Sequence, residues 1–278
     1  MSIERTEGLI LKTYDYSETS KIAVVFTKHF GKIKVIAKGA KSKNSKTAAI
    51  LDPGSYVKLI FYLKHDSELF NVSEASVIDQ FSPIRLDLTK FAYYMYLLEL
   101  VDALFEHEEG VHGLFDVLIA HIRQFAAGGN PVLVVRALEI KILAILGHML
   151  ELTKCVGCGK EIPPDMLPRR LPDAHLKTGK KMFYLSLHQG GILCKRCAPA
   201  DKRRTTCSHA FVRIFEFLAS SEPEEIAYLE VSRSQMDELK NILRNTLDFL
   251  LGKSLKSLSF LDQVLGEKSP GITHTPRR

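Results

Sequence analysis

Two Cys-x-x-Cys pairs constrain this chain more than any other feature of its sequence. The first pair is Cys155 and Cys158, and the second is Cys194 and Cys197. Two residues between cysteines allow both sulfurs to face one metal ion, and a second pair completes the tetrahedron that Zn²⁺ prefers. Because four thiolates leave no coordination position open for water, the predicted zinc ion is structural rather than catalytic. A redox dithiol and unliganded thiols are the alternatives.

The residues between and around the two pairs add further expectations. The gap of 35 residues between the pairs exceeds the spacing of about 15–20 in a compact zinc ribbon, so we expect a protruding loop. His175 and His188 lie in this gap and could replace a sulfur, but surface positions are the simpler interpretation. The fifth cysteine, Cys207, is predicted to be a buried apolar thiol. Paired cysteines in an odd total fit a reducing compartment. No apolar run approaches the roughly 20 residues that span a bilayer, and we expect a cytoplasmic protein without a membrane partner.

The hydrophobic pattern changes its period near Pro83. Before this residue, short runs rich in β-branched and apolar side chains predict five strands. The predicted strands are Gly8–Tyr14, Lys21–Lys28, Lys32–Lys38, Tyr56–Leu63 and Leu69–Ile78. Five short strands with one long loop between the third and the fourth are typical of a small closed barrel of the OB type. A sandwich and an SH3-like barrel are the alternatives.

After Pro83, apolar residues recur at helical spacing. Asn130 is a predicted N-cap, and Pro131 stands in the first turn, where a helix tolerates proline. The helix that follows is apolar nearly all round, which predicts the buried centre of a bundle. The fold class is therefore mixed α and β. We expect an N-terminal five-stranded OB-type β-barrel over residues 1–81 and an α-helical bundle over 82–266, with the four-cysteine zinc module inserted at 152–206. Residues 267–278 are expected to be a flexible tail.

Positive charge is concentrated in two parts of the chain. Residues 19–51 hold eight lysines and no acid, and residues 152–206 hold twelve basic residues against four acids. A lysine-rich stretch without acids can follow phosphates without recognising bases, and a solvated charged face is the alternative interpretation. Phe26, Phe30, Phe61 and Tyr62 are candidate stacking partners for bases, although core packing is the expected role of each.

Sequence motifs of common enzyme classes are absent. The chain has no GxxxxGK[ST], GxGxxG, HExxH or GxSxG, which nucleotide-binding enzymes, zinc proteases and serine hydrolases use. His107 and His112 stand five positions apart with Gly110 between them, so they do not form the metal pair of a zinc protease. We therefore expect a binding protein and not an enzyme. A zinc hydrolase acting on nucleic acid would need an open metal position.

Several blocks of the sequence resemble the RecO family of bacterial recombination mediators. The N-terminal blocks are Gly8–Thr13, Tyr16–Lys21, Phe26 and Thr27 with Gly31 and Lys32, and Ala37–Lys41, and the later ones are the Cys155/Cys158 pair and Gly190–Cys197. The order of barrel, helices, cysteine pairs and helices is similar over most of the chain. Two departures are a longer gap between the cysteine pairs and lysine where arginine is common in the basic loop, which weakens bidentate phosphate contacts.

The resemblance implies a nucleoid-associated protein of DNA repair and homologous recombination. Such a protein binds single- and double-stranded DNA, anneals strands, assists RecA loading with RecR, and contacts the C-terminal tail of single-stranded DNA-binding protein. The four knuckle cysteines would hold zinc. The candidate DNA-contacting residues are Lys12, Lys32, Lys34, Lys38, Lys41, Lys43 and Lys46. The alternative function is a zinc-stabilised protein-interaction scaffold without direct DNA binding.

Overall fold

A computed structural model of the chain describes residues 2–40, 50–63, 67–105, 113–162 and 182–266. Backbone proximity divides the chain into two compact units. One unit comprises Met1–Asp116 with Ser254–Arg278, and the other comprises Val117–Lys253. The domain limits expected from the sequence, at residues 81 and 266, stay predictions, as does the zinc module of 152–206.

The first unit begins with a closed five-stranded barrel. Its strands are β1 (Ser2–Asp15), β2 (Lys21–Thr27), β3 (Gly31–Ala37), β4 (Tyr56–Leu63) and β5 (Leu69–Asp79). The strand order is β1-β2-β3-β5-β4, and β4 pairs with β1 to close the barrel. All neighbouring strands are antiparallel except β3 and β5, which are parallel. The OB-type barrel predicted from the five apolar runs is confirmed.

Alternation along the strands separates the barrel core from its outer face. Ala23, Val25, Ile33 and Val35 lie in the core with relative exposures of 2% or less. Side chains alternate along a strand, so residues 22, 24, 34 and 36 face outward. A bulge in β1 between Ile10 and Lys12 shifts the register with β2. Lys12 is opposite Val24, which is in turn opposite Lys34, so both lysines stand on the outer face.

The first unit also contains helices, some of which cover part of this outer face. They are α1 (Ser82–Arg85), α2 (Leu88–Leu104), the start of α3 (Leu114–Ala126) and the C-terminal α8 (Lys256–Leu265). The ring of Phe26 on β2 lies 5.5 Å from that of Phe105 and 6.3 Å from that of Phe115. Glu99 of α2 accepts from the backbone N–H groups that begin α8, at 3.0 and 2.7 Å. A carboxylate at a helix N-terminus satisfies unpaired donors and opposes the helix dipole.

The second unit is built around α4 (Pro131–Ile145). The Asn130 side chain caps this helix by accepting from two backbone N–H groups, and Pro131 occupies its first turn, as predicted. The further elements are β6 (Met182–Ser186), β7 (Gly191–Leu193), a 3-10 turn (Ala198–Ala200), β8 (Thr205–Ser208), α5 (His209–Ser220), α6 (Pro223–Ile226) and α7 (Arg233–Leu251). Helix α4 is buried almost all round, which confirms its predicted central position.

Two features of the second unit were not expected from the sequence. A three-stranded antiparallel sheet of order β7-β6-β8 follows the first cysteine pair. The buried side of α4 also contains an ion pair between Arg136 and Glu139 at 2.8 Å, with side-chain exposures of 1% and 0%. The attraction between two charges buried this deeply must offset the free energy that their removal from water costs. Within the described part of the chain, none of the helices combines the length and apolarity that crossing a membrane requires.

Candidate metal centre and nucleic-acid interface

The four cysteines predicted as metal ligands converge on one point of the second unit. The sulfurs of Cys155, Cys158, Cys194 and Cys197 all lie within 4.8 Å of one another. Zn–S bonds of about 2.3 Å place the sulfurs of a tetrahedral site about 3.8 Å apart. The Cys158 and Cys194 sulfurs are separated by 3.9 Å, which fits that geometry. The donor set can therefore hold a metal ion, and its thiolate chemistry favours a soft divalent ion.

Each cysteine pair forms a knuckle with the same backbone pattern. The N–H groups of the second cysteine and of the residue after it donate to the carbonyl of the first cysteine, at 2.8–3.3 Å. In the first knuckle the residue after the pair is Gly159, whose φ of 70° favours glycine. The N–H of Cys194 donates to the Cys155 sulfur at 3.2 Å. This bond links the second knuckle to the first.

The short sheet positions the second knuckle. Cys194 directly follows β7, and the Val156 N–H donates to the Ile192 carbonyl at 2.9 Å. Glycine is required at position 191, because a Cβ there would clash with the Glu151 carbonyl oxygen. The small core at this point consists of Cys155, Leu193 and Ala198, with Cys194 and Cys197 packed against it. So little apolar area cannot by itself hold the knuckles together.

The thiols of Cys155 and Cys207 lie in opposite chemical environments. Burial raises the pKa of Cys155, but three backbone N–H groups directed at its sulfur outweigh that effect and lower the pKa to about 6. A thiol that is readily deprotonated suits a metal ligand. Cys207 is fully buried, and desolvation raises its pKa to about 12. The prediction that Cys207 is a buried apolar thiol is confirmed.

Exposed cationic side chains are frequent in the sequence on both sides of the cysteine pairs. Seven are exposed in the described part of the module: Lys154, Lys160, Lys195, Arg196, Lys202, Arg203 and Arg204. A hydrogen bond with Cys158 raises the pKa of Arg196, so its guanidinium partly balances thiolate charge. His188 lies 3.5 Å from the Asp201 carboxylate and outside the group of converging ligands. His175 lies outside the described residues.

The lysines predicted to contact DNA have different environments. Lys12 and Lys32 both contact Asp102 of α2, at 2.5 Å and 3.4 Å from its carboxylate oxygens. Lys32 also donates to the Asp102 backbone carbonyl at 2.6 Å, and its side chain is 10% exposed. Lys34 is 3.6 Å from Glu68, and both side chains are accessible. Lys38 is exposed where β3 ends.

The rest of the predicted lysine set, Lys41, Lys43 and Lys46, lies outside the described residues. Two of the four aromatic candidates, Phe26 and Phe61, are buried at 1% and 0% exposure, in agreement with the expected core role. Phe30 and Tyr62 are half-buried.

Sequence reasoning missed Asp102, because this residue stands 90 and 70 positions from the two lysines that it contacts. It also did not single out the exposed rings of Tyr14 and Tyr16, at 49% and 61% exposure. Their position at the end of the first predicted strand, beside polar turn residues, was the signal that could have identified them.

Comparison with known proteins places this geometry in a family. A family model described as recombination protein O N terminal matches residues 1–81, and one described as recombination protein O C terminal matches residues 85–259. A protein of Shouchella clausii named DNA repair protein RecO is 30% identical over 98% of this chain and 98% of its own length. Proteins of the same name from Desulforamulus reducens and Bacillus subtilis are 30% and 28% identical, over 95% and 94% of this chain and 96% and 95% of their own lengths. The chain therefore belongs to the RecO family, and its role lies in DNA repair and recombination.

Proposed function

We propose that this protein binds single- and double-stranded DNA through its N-terminal barrel and acts as a recombination mediator without catalysing a reaction. One observation carries the proposal. In a chain of the RecO family, strand β3 of an OB-type barrel ends at Ala37, and the exposed Lys38 that follows begins a lysine stretch, residues 38–46, with four lysines and no acid. Such a stretch can neutralise successive phosphates and release their counterions, which gives affinity without sequence preference.

Exposure and ion pairing determine which candidate lysines are available to contact phosphates. Lys38 has an exposed side chain, and the partner of Lys34 is a glutamate with a side chain 80% exposed. Exposed ion pairs contribute little stability, so a phosphate can replace that glutamate. Lys32 is buried against Asp102, which favours a structural role for it. Lys12 shares the same carboxylate but is 42% exposed, so we assign it a secondary contact. We place the main phosphate contacts on Lys34, Lys38, Lys41, Lys43 and Lys46.

We assign zinc to the four-cysteine centre. Support comes from the sulfur spacing, from four ligands of one soft type, and from the small core around the cluster. Tetrathiolate sites of this kind hold Zn²⁺ for folding and leave no position for a reacting water. The bound metal supplies structural stability, and the chain's own knuckle N–H groups hold the thiolates in place.

Strand annealing and the protein partners rest on the family resemblance. We propose that the protein works with RecR, contacts the C-terminal tail of single-stranded DNA-binding protein, and assists RecA loading. We also propose a cytoplasmic, nucleoid-associated location. Co-elution of the purified protein with RecR, and with a peptide of the acidic tail, tests the two partner assignments separately. Failure of either mixture to form a complex at micromolar concentrations would count against that partner.

A salt titration tests the DNA-binding proposal. Binding of a labelled single strand is measured at several salt concentrations for the wild type and for a variant with Lys38, Lys41, Lys43 and Lys46 changed to alanine. The slope of log K against log salt should become shallower by about 0.7 for each phosphate that the variant no longer neutralises.

A matched pair of variants controls for net charge. One double variant combines Lys38→Ala with Lys41→Ala, and the other combines Lys253→Ala with Lys256→Ala. Both remove two positive charges, but from different parts of the sequence. The first pair should weaken binding, and the second should bind like the wild type. Equal effects of the two pairs would reject the lysine stretch as the DNA-binding segment. Absence of any DNA binding, together with capture of the acidic tail peptide, would instead support the interaction scaffold.

A further inference from the structure

Tyr14 and Tyr16 expose aromatic rings at one end of the barrel. Tyr14 is 49% exposed near the end of β1, and Tyr16 is 61% exposed in the turn that follows. Other tyrosines of the first unit, such as Tyr93, Tyr94 and Tyr96, are buried at 1–2% exposure. Two exposed aromatic rings only two positions apart along the chain can offer apolar area to a binding partner.

The turn that presents these rings is fixed by hydrogen bonds. The N–H groups of Tyr16 and Ser17 donate to the Ser20 carbonyl at 3.1 and 3.4 Å, and the Ser20 N–H donates to the Ser17 hydroxyl at 3.1 Å. Every residue of this turn is described, and Ser20 itself is buried at 7% exposure. A backbone held in this way has little conformational entropy left to lose on binding.

Strand register brings cations to the same end of the sheet. The Lys12 ammonium lies 5.6 Å from the centroid of the Tyr14 ring. Lys21 is opposite Asp15 on β1 and opposite Ala37 on β3, and the exposed Lys38 follows Ala37. The tyrosines therefore stand beside the start of the lysine stretch. Their flat ring faces can stack there with the bases of a nucleic acid whose phosphates contact the lysines.

Acidic groups limit what charge alone can do at this position. Asp15 and Glu18 are exposed on the same turn, and Asp102 contacts Lys12. Electrostatic attraction is thus partly cancelled around the rings, so stacking must supply most of any affinity that arises there. Unpaired bases offer free π-faces to aromatic side chains, whereas the bases of a duplex are already stacked on each other.

We propose that Tyr14 and Tyr16 form a base-stacking platform for single-stranded DNA and give the barrel a preference for unpaired strands. This inference rests on the DNA-binding function proposed above. The lysine stretch attracts any polyanion, and the tyrosines distinguish the single strand from the duplex.

Affinity measurements with leucine variants test the platform. Tyr14→Leu and Tyr16→Leu keep apolar bulk but remove the ring. Each should weaken binding of a single-stranded oligonucleotide by about fivefold or more, which is the size of one base–aromatic stack. Duplex affinity and the salt slope should stay at the wild-type values, because every lysine that neutralises a phosphate is kept. Tyr228→Leu is the matched control, since Tyr228 is 87% exposed but belongs to the second unit.

A direct optical measurement of stacking is available because the chain contains no tryptophan. In Tyr14→Trp and Tyr16→Trp the introduced indole should be quenched by a single-stranded oligonucleotide and not by a duplex at the same degree of saturation. Tyr228→Trp should not respond to either. Unquenched indoles on a saturated protein, or equal losses of single-strand and duplex affinity in the leucine variants, would overturn the platform and leave the DNA-binding proposal standing. Absence of DNA binding by the wild type would overturn both.

Discussion

Replacing Asp102 by asparagine tests the electrostatic link between helix α2 and the barrel. The Asp102 carboxylate contacts Lys12 at 2.5 Å and Lys32 at 3.4 Å, and the three side chains are 17%, 42% and 10% exposed respectively. Asparagine keeps the volume of aspartate and one oxygen acceptor but removes the negative charge. Lys12 can then turn toward water, whereas the Lys32 ammonium remains buried beside a neutral amide.

The expected loss of stability lies between two known limits. Removing one partner of a buried ion pair costs about 3–5 kcal/mol, and removing one partner of an exposed pair costs about 0–1 kcal/mol. Lys32 keeps its 2.6 Å hydrogen bond to the backbone carbonyl of residue 102, which lowers the cost below the buried limit. We therefore expect Asp102→Asn to reduce the free energy of unfolding by about 2–3 kcal/mol, mostly through Lys32.

Urea unfolding at a fixed zinc concentration measures this loss. The matched control is Asp116→Asn, because Asp116 contacts Lys28 at 2.8 Å with side chains that are 63% and 36% exposed. This control should lose much less stability than Asp102→Asn, because exposed ion pairs contribute little. Adding Lys32→Met to Asp102→Asn should recover most of the stability, since an apolar replacement of a buried pair is often neutral or stabilising. Equal losses in Asp102→Asn and Asp116→Asn would refute the reasoning.

Two further predictions concern the second unit. Chelating zinc should make four thiols reactive toward an alkylating reagent while Cys207, which is fully buried, reacts only after denaturation; five reactive thiols on chelation alone, or none, would contradict the assignment. Burial lowers the pKa of His121 to about 4 from an ordinary 6.5. Between these two values the imidazole is protonated in the unfolded chain and neutral in the folded chain, so stability is lost as the pH falls below about 6.5. Relative to His121→Leu, the wild type should lose about 2 kcal/mol of unfolding free energy between pH 7 and pH 5, measured by urea titration of both proteins so that any loss of zinc cancels; parallel pH profiles would contradict it.

Local patterns in the sequence predicted the elements whose cause is local. The strand runs, the Asn130 cap with Pro131, and the two cysteine knuckles each depend on residues within a few positions of one another. Strand β1 begins six residues before its predicted start, because Ser2–Glu7 pair with β4 and have few of the apolar residues that mark a strand. The extension of β1 therefore depends on pairing with a strand more than fifty positions away.

The parts of the site that sequence reasoning missed depend on distant contacts. In the sequence Asp102 is one acidic residue near the end of a largely apolar helix, and only the packing of α2 on the barrel shows that two of the predicted DNA-contacting lysines are its partners. Residues 19–51 do hold eight lysines and no acid. This count did not reveal how many of the lysines remain available to contact DNA. Exposure had to be known before Tyr14 and Tyr16 could be distinguished from the aromatic residues of the core.

Charge and stacking perform separable tasks on this barrel, and salt distinguishes them. Attraction between lysines and phosphates weakens steeply as salt rises and acts on single strands and duplexes alike. Stacking on an exposed ring depends little on salt and requires an unpaired base. Because free energies add, a stacking contribution that does not change with salt multiplies the single-strand affinity by the same factor at every salt concentration. The double variant Tyr14→Leu with Tyr16→Leu should therefore lose the same fold-preference for single strands at low and at high salt, whereas a loss that shrinks as salt rises would show that the rings act through the lysine contacts.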